Sequence, residues 1–238
     1  MNFKHFIITH FNVKFHWAKK GRNPSTGKAP DKAWLEHRIK LFDKFCFPSV
    51  INQTNKNFKW LIFFDDESTD KQLFENYAQC TKVYLKDYKV FSYKLVSKEI
   101  KKLLNKGTKW ILTTRLDNDD SLSKHYIDTI QKRFVEKNMI LNPSLGIVYD
   151  IHKKVGRRLN YMCPNSFLTA VEKVTGGELK TCFRVNHPQL RNHFKTFSQI
   201  QTKFPLWLQI IHKRNLGNTM RGKVLKDPSK LLKDFNIK

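Results

Sequence analysis

The sequence predicts one α/β domain built on a mostly parallel sheet with helices on both faces. Short apolar runs alternate with helix-like stretches as far as residue 150, which is the order of successive β–α units. Acidic clusters follow two of the apolar runs, and open α/β sheets bind ligands beyond the carboxyl ends of their strands. The chain has 238 residues with no visible linker or internal repeat, so we expect one domain over 1–222 and a basic tail over 223–238.

Five apolar runs predict strands, at residues 6–8, 58–64, 83–85, 109–113 and 145–149. Apolar residues spaced three or four apart predict intervening helices, at 35–45, 70–79, 95–105 and 123–137. Pro48 should end or kink the first helix, and Ser68 or Thr69 should cap the second. Elsewhere we expect irregular structure: a polar loop at 18–33, a basic turn at 153–158, a loop at 195–205 and a partly mobile tail from Lys213.

The composition describes a folded, strongly basic protein. Hydrophobic residues make up 40% and aromatic residues 13%, which excludes a disordered chain. The formal net charge of +25 favours nucleotides, polyanions or an anionic membrane surface. Lysine dominates and is spread along the whole chain, whereas a nucleic-acid reader concentrates arginine for bidentate contacts. We therefore expect a solvated lysine-rich surface and no nucleic-acid partner.

The four cysteines form no Cys-x-x-Cys pair, so neither a zinc ribbon nor a redox motif is indicated. We expect Cys46 and Cys80 to be buried thiols in a reducing cytosol. The N-terminal residues lack a signal-peptide core, and no apolar run approaches the roughly 20 residues that span a bilayer. The expected location is cytoplasmic, and any membrane contact should be peripheral and made by the basic surface.

The most informative stretch is Leu116-Asp117-Asn118-Asp119-Asp120, directly after the fourth predicted strand. Carboxylates this close repel each other unless a cation lies among them. Residues i and i+2 of an extended or turn backbone point the same way, so Asp117 and Asp119 could both face a divalent cation or a sugar nucleotide. The alternative is a turn in which Asp120 or Ser121 caps the next helix. Arg115 could pair with these aspartates or bind phosphate.

Several segments in order resemble one family. They are residues 9–15, 34–38, 45–54, 58–65, 114–120 and 205–212, the last followed by Asn215 and Asn218. On these segments the chain resembles the bacterial putative rhamnosyltransferase family, which are glycosyltransferases of the GT-A fold. The resemblance implies a GT-A-like sheet far more firmly than it implies a particular sugar.

The resemblance also implies roles for individual residues. Asp65 and Asp66 should hold the nucleoside base or ribose, with Thr9, Phe11 and Asn12 flanking the same pocket. Together with Arg115 and Asp117 they form the expected nucleotide-sugar site. The expected metal ligands for Mn or Mg are Asp117, Asp119 and His212. Glu172, expected to open a helix, is the candidate general base, and Glu178 is the reserve.

The predicted function is metal-assisted, inverting transfer of a sugar, with rhamnose the family-level expectation, from a nucleoside diphosphate donor to a glycan or glycolipid hydroxyl. Two other classes stay open. A metal-dependent nuclease would also combine clustered carboxylates with a basic surface. A non-catalytic, lectin-like relative would bind nucleotide without turning it over.

Overall fold

The computed structural model describes residues 2–15, 32–86, 90–212, 214–215 and 219–237. Most of the predicted 18–33 loop, Lys213 and Asn218 lie outside these ranges. Within them the strands, in chain order, are β1 (Phe3–His10), β2 (Lys14–Phe15), β3 (Lys59–Asp65), β4 (Thr81–Leu85), β5 (Val90–Phe91), β6 (Trp110–Arg115), β7 (Ser121–Leu122), β8 (Met139–Pro143), β9 (Leu145–Asp150), β10 (Val155–Asn160), β11 (Thr169–Lys173), β12 (Thr196–Ile200), β13 (Trp207–Ile211) and β14 (Lys223–Val224). The α-helices are α1 (Lys32–Leu41), α2 (Phe47–Ile51), α3 (Tyr93–Lys102), α4 (Tyr126–Gln131) and α5 (Ser229–Leu232).

Seven of these strands form the main sheet, in the order β12-β8-β11-β6-β1-β3-β4. The neighbours β6, β1, β3 and β4 are parallel, and β11 runs antiparallel to both β6 and β8. Every residue of β6 is buried, as is all of β3 after its first residue, because both faces of this sheet are covered. The predicted α/β class with a mostly parallel sheet is confirmed.

Alternate residues of the central strands enter two cores on opposite faces of the sheet. Ile7 and Ile62 belong to one core, with α1, α2 and α4 packed over it. Ile8 and Phe63 belong to the other, which α3 covers through Val96. This is the period-two pattern of a strand buried on both sides. It accounts for the continuous apolar runs in the sequence.

A second sheet, in the order β14-β10-β9-β13-β7, extends the domain beyond the acidic stretch. In it β13 pairs in parallel with β9 and antiparallel with β7, whose two residues directly follow Asp120. The single predicted sheet is therefore incomplete. A further pair, β2 and β5, is parallel.

Several predicted elements were wrong. The basic turn at 153–158 is largely β10, the 195–205 loop contains β12, and Glu172 lies in β11 rather than at the start of a helix. The helix expected over 123–137 is only α4, and β8 follows it. Each misread strand has a polar or helix-favouring sequence, so its partners in the sheet decide its conformation.

Two helix boundaries also differ from expectation. Pro48 does not end the first helix: a π-helical turn, Phe42–Cys46, joins α1 to α2, and Pro48 lies in the first turn of α2. A proline is tolerated there because its missing N–H costs least in a first turn. The predicted helix at 70–79 is a single 3₁₀ turn, Lys71–Phe74, capped by Asp70 instead of Ser68 or Thr69.

The C-terminal residues pack onto the domain, unlike the partly mobile tail that the sequence suggested. Phe235 and Ile237 are buried in a third core with Phe45 and Leu208. All four cysteines are free thiols; Cys46 is buried as expected, but Cys80 is only half-buried. Among the described residues, no helix has the length and hydropathy to cross a membrane.

Candidate functional site

The candidate site lies where parallel strands of the main sheet end together. The strand β1 lies between β3 and β6 and is parallel to both. The last residues of the three strands therefore lie at the same end of the sheet; they are His10, Asp65 and Arg115. The acidic stretch continues from β6 along this edge. The sequence-based expectation that Asp65 and the aspartates after residue 116 share one rim agrees with this arrangement.

Asp117 is held by two cationic or polar partners and faces a cavity. Its Oδ1 lies 3.0 Å from His10 Nε2, and Arg115 donates to it from Nε and Nη2 at 3.2 and 3.1 Å. Burial alone would raise the pKa of Asp117, but the Arg115 charge and the His10 contact outweigh it and hold that pKa well below its usual range. With its side chain 26% exposed, Asp117 is an ionised group open to a ligand.

Asp119 is engaged differently, in a buried cluster with Arg38 of α1 and His212. Its Oδ2 forms an ion pair with Arg38 and lies 2.9 Å from His212 Nε2. Burial acts to raise the pKa of Asp119, and the Arg38 guanidinium and His212 more than reverse it. Asn118 completes the cluster, because its side chain accepts from Arg38 and donates to the Phe11 carbonyl.

Asp120 has a structural role. Its Oδ1 accepts the Ile210 backbone N–H at 2.9 Å, which ties the acidic stretch to β13 of the second sheet. Burial, and then the charges of Asp119 and Asp117, raise the pKa of Asp120 well above its usual value. The predicted helix cap is not formed, since β7 follows at once.

The two acidic residues predicted to hold the nucleoside are Asp65 and Asp66. Asp65 is fully buried; Oδ2 accepts from the Ser68 backbone N–H and hydroxyl, while Oδ1 has no hydrogen-bond partner among the described residues. Asp66 forms an ion pair with Lys71. A buried carboxylate oxygen without a partner is costly, so Asp65 has unused acceptor capacity at this rim.

The neighbouring predicted residues are buried parts of the framework. Thr9 accepts from the Trp60 indole at 3.0 Å. Phe11 packs edge-on against Phe42 at 5.3 Å between ring centres. Asn12 accepts the Asp65 backbone N–H and donates to Ser68 and Thr69. Their side chains position the rim, and direct contact with a nucleotide stays a prediction.

Glu172 does not join the cluster. It pairs in register with Ile111, four residues before Arg115, which places it about 13 Å back along the strands. Its carboxylate accepts the backbone N–H groups of Lys180 and Thr181 at 2.8 and 3.1 Å. Burial raises its pKa, and these two hydrogen bonds oppose the rise. Glu178, the reserve, contacts Tyr93 and Lys94 and is also outside the cluster.

A cavity of about 360 Å³ opens beside Asp117, and its walls come from both sheets and their loops. Arg115 and Asp117 lie on one side, and Tyr161, His187 and Arg221 bring further polar groups. Trp207, stacked on Phe167 with ring centres 4.9 Å apart, forms an apolar wall. The cavity thus combines an anion, cations and aromatic surface, which suits a polar ligand with a phosphate group.

Sequence reasoning missed His187 and Arg221. Burial, and then the Arg115 charge, lower the pKa of His187 to about 3, so its imidazole is neutral at physiological pH. Its Nδ1 is buried without a hydrogen-bond partner among the described residues. Neither residue belongs to a recognisable spacing pattern. Only the folding of distant segments around Asp117 reveals them.

The residues predicted to bind Mn or Mg do not fit that role as they are arranged. The Asp117 carboxylate is held by Arg115 and His10, and that of Asp119 by Arg38 and His212. Across the described ranges, no three His, Cys, Asp or Glu side chains are grouped as metal ligands would be. A metal cofactor stays a prediction, and no step below depends on it.

Comparison with known proteins gives one family and some distant structures. The family model described as "Putative rhamnosyl transferase" matches residues 28–224. No curated protein matches the chain in sequence. Similar solved structures include Staphylococcus aureus TarS 1–349, with 11% identity and a TM-score of 0.47, covering 87% of this chain and 60% of that one. Another is the 4-diphosphocytidyl-2C-methyl-D-erythritol synthase of Anaerococcus prevotii, with 11% identity and a TM-score of 0.37, covering 99% and 96%.

A third is the inositol-1-phosphate CTP transferase of T. maritima, with 9% identity and a TM-score of 0.32, covering 98% of this chain and 95% of that one. None of the three reaches a TM-score of 0.5, so no conclusion about function is drawn from them. The chain spans only 60% of the TarS chain that it resembles.

Proposed function

We propose that this chain, which belongs to the putative rhamnosyl transferase family, transfers a sugar from a nucleoside diphosphate donor to a hydroxyl of a glycan or glycolipid. Rhamnose is the sugar that the family suggests. The observation that carries the proposal is the cavity beside Asp117, whose walls unite residues from across the matched segment. That cavity lies at the carboxyl edge of parallel strands, where α/β proteins bind nucleotides.

The side chains lining the cavity suit the parts of such a donor. Arg115 and Arg221 can bind the diphosphate, because a guanidinium offers paired N–H groups to phosphate oxygens. Asp117 can accept hydrogen bonds from sugar hydroxyls, since its carboxylate is ionised and partly exposed. Trp207 and Tyr161 provide aromatic surface for the sugar ring.

We propose His187 as the general base in place of Glu172. The acceptor oxygen bonds to the anomeric carbon while the bond from that carbon to the diphosphate breaks, and the electron pair leaves with the nucleoside diphosphate. The acceptor proton passes to the neutral imidazole of His187, whose side chain lines the cavity. Burial and the Arg115 charge lower the pKa of this imidazole and keep it neutral, so it can accept a proton, and the Asp117 carboxylate opposes them by raising that pKa.

The arrangement of the acidic residues does not support the alternative function, a metal-dependent nuclease. Two-metal phosphodiester cleavage needs acidic groups that hold two cations. In the part of the chain that is described, Asp117 and Asp119 each have an arginine partner, and no grouped set of metal ligands is present.

The test uses nucleoside diphosphate sugars, with dTDP- and UDP-linked rhamnose among them, and measures release of the nucleoside diphosphate with glycan acceptors. We expect His187→Ala to lower kcat by about 10²- to 10⁴-fold with little change in donor KM, as for loss of a general base. Glu172→Gln is the matched control, because it keeps one acceptor oxygen and lies outside the cavity. Its kcat should stay near the wild-type value.

Two results would contradict these assignments. If no nucleotide sugar binds or is turned over, sugar transfer is wrong for this site. If Glu172→Gln abolishes turnover in a folded protein while His187→Ala does not, the general base has been misassigned and Glu172 regains that role.

A further inference from the structure

The carboxylates of Asp117 and Asp119 are each paired with an arginine of the protein. Arg115 donates to Asp117, and Arg38 forms an ion pair with Asp119. The two arginine side chains are each only 11% exposed, and the Asp119 side chain is 8% exposed, so solvent screens these pairs weakly. Two carboxylates are thus matched by two guanidinium groups. The repulsion that would otherwise call for a bound divalent cation is already compensated by the protein.

The hydrogen bonds of His212 are independent evidence against a divalent cation at this site. Its Nδ1 accepts the Arg214 backbone N–H at 3.2 Å, so the ring proton lies on Nε2, which donates to Asp119 Oδ2 at 2.9 Å. A metal-binding imidazole has the opposite arrangement: one nitrogen offers its lone pair to the metal and the other donates its N–H to an acceptor. His212 therefore acts as a hydrogen-bond donor that orients Asp119.

The same cavity contains cations suited to a leaving diphosphate. Arg115 lies over the Phe183 ring at 5.4 Å, which fixes its guanidinium plane beside the cavity. It uses Nε and Nη2 for Asp117, so further N–H groups remain available. Arg221 lines the cavity as well, while its Nε donates to Thr219 at 3.0 Å.

We propose that this site works without a divalent metal: Arg38 and Arg115 neutralise the two aspartates, and Arg115 with Arg221 stabilises the departing diphosphate. The inference rests on the proposed function for the diphosphate, but the neutralisation of the aspartates stands on the ion pairs alone. Arg38 is here a positioning residue that holds Asp119, and Arg115 and Arg221 are the groups that touch the ligand.

The first experiment measures Mn²⁺ binding directly, on protein stripped with EDTA, by electron paramagnetic resonance titration with Mn²⁺ alone. We expect no stoichiometric site in the wild-type protein. Arg38→Gln removes the partner of Asp119 and should bind Mn²⁺ more tightly than wild type. Arg133→Gln, a change at an exposed arginine outside the site, is the matched control and should behave as wild type. Stoichiometric Mn²⁺ binding by the wild-type protein would overturn the inference, and that measurement decides even if Arg38→Gln does not fold.

The second experiment compares nucleoside diphosphate release in EDTA with release in added Mn²⁺ or Mg²⁺. Turnover in EDTA close to that with metal supports the inference, and turnover that needs metal overturns it. Absence of turnover in both conditions contradicts the proposed function instead. The Mn²⁺ titration then still decides whether the arginines have taken the place of a metal.

Discussion

Three aspartates within four positions have three different environments. Asp117 faces the cavity, Asp119 is paired with Arg38 and His212, and Asp120 binds the Ile210 N–H. The spacing of these residues predicted that Asp117 and Asp119 share a divalent cation, which stays a prediction, whereas the structure shows an arginine beside each of the two carboxylates. The spacing could not reveal that the cation beside Asp119 is Arg38, because only the packing of α1 brings that side chain to the rim.

The buried side chain of His5 predicts how the stability of the protein depends on pH. It is 2% exposed, and its Nε2 lies 2.8 Å from Thr114 Oγ1. Burial lowers its pKa to about 3. The folded state therefore binds fewer protons than the unfolded state between that value and the ordinary histidine pKa of 6.5. Its contribution to stability is present at neutral pH and is lost as the pH falls below about 6.5.

We expect the free energy of unfolding to fall on acidification, with a slope from His5 that approaches about 1.4 kcal/mol per pH unit. Urea unfolding of wild type and His5→Gln, from neutral pH down to about pH 5, measures this. The variant should be less stable at neutral pH but show a shallower acid dependence. His152→Gln, at an exposed histidine, serves as control. Equal slopes for wild type and His5→Gln would contradict the prediction.

At the scale of elements, β9 and β13 form a tightly fitted wall of the cavity. Gly146 of β9 pairs in register with Trp207 of β13. A Cβ atom at Gly146 would lie 2.0 Å from the Trp207 ring. The indole cannot move away freely, because its Nε1 donates to the Pro143 carbonyl at 2.8 Å and its ring is stacked on Phe167. Glycine at this position therefore lets the tryptophan line the cavity.

Gly146→Ala should displace Trp207, lower the free energy of unfolding by about 1–3 kcal/mol through overpacking, and weaken nucleotide binding. Gly107→Ala is the control, because a Cβ there meets nothing within 4 Å. Urea unfolding and calorimetric titration with dTDP measure the two effects. Stability and dTDP affinity equal to those of Gly107→Ala would show that the wall adapts without cost.

The secondary-structure elements differ in how well the sequence predicted them. The strands β1, β3 and β6 were predicted because burial on both faces demands continuous apolar runs. In contrast, β10 and β12 are mostly half-buried or exposed, so they carry too few apolar residues to be recognised. Glu172 was expected to open a helix, and Ala, Glu and Lys do favour helices, yet β11 pairs with β6 and β8 on either side. Partners distant in sequence decide such segments.

At the scale of the whole molecule, the C-terminal segment closes the second sheet. Residue Val224 pairs with Arg157 of β10, and Asp234 forms an ion pair with Lys124 at 3.1 Å. Phe235 is fully buried beside Ile147 and Leu208. The basic composition of this segment suggested a solvated tail, but Phe235 and Ile237 near its end are buried in the third core.

Phe235→Ala should lower the free energy of unfolding by about 3–5 kcal/mol, the usual cost of removing a buried phenylalanine. Lys226→Ala, at an exposed position in the same segment, should leave stability near the wild-type value. Thermal unfolding of the full chain compares the two. A Phe235→Ala protein that melts with wild type would mean that the segment is not docked in solution.

The partners of the acidic stretch are scattered along the chain, from His10 and Arg38 to Ile210 and His212. During synthesis Asp119 and Asp120 leave the ribosome long before β13, so for that interval Asp119 lacks His212 and Asp120 lacks the Ile210 N–H. The candidate site can therefore be completed only after β13 and His212 have been synthesised. A nascent chain arrested before residue 207 should expose this region to proteases and chaperones, whereas the 238-residue chain should resist them.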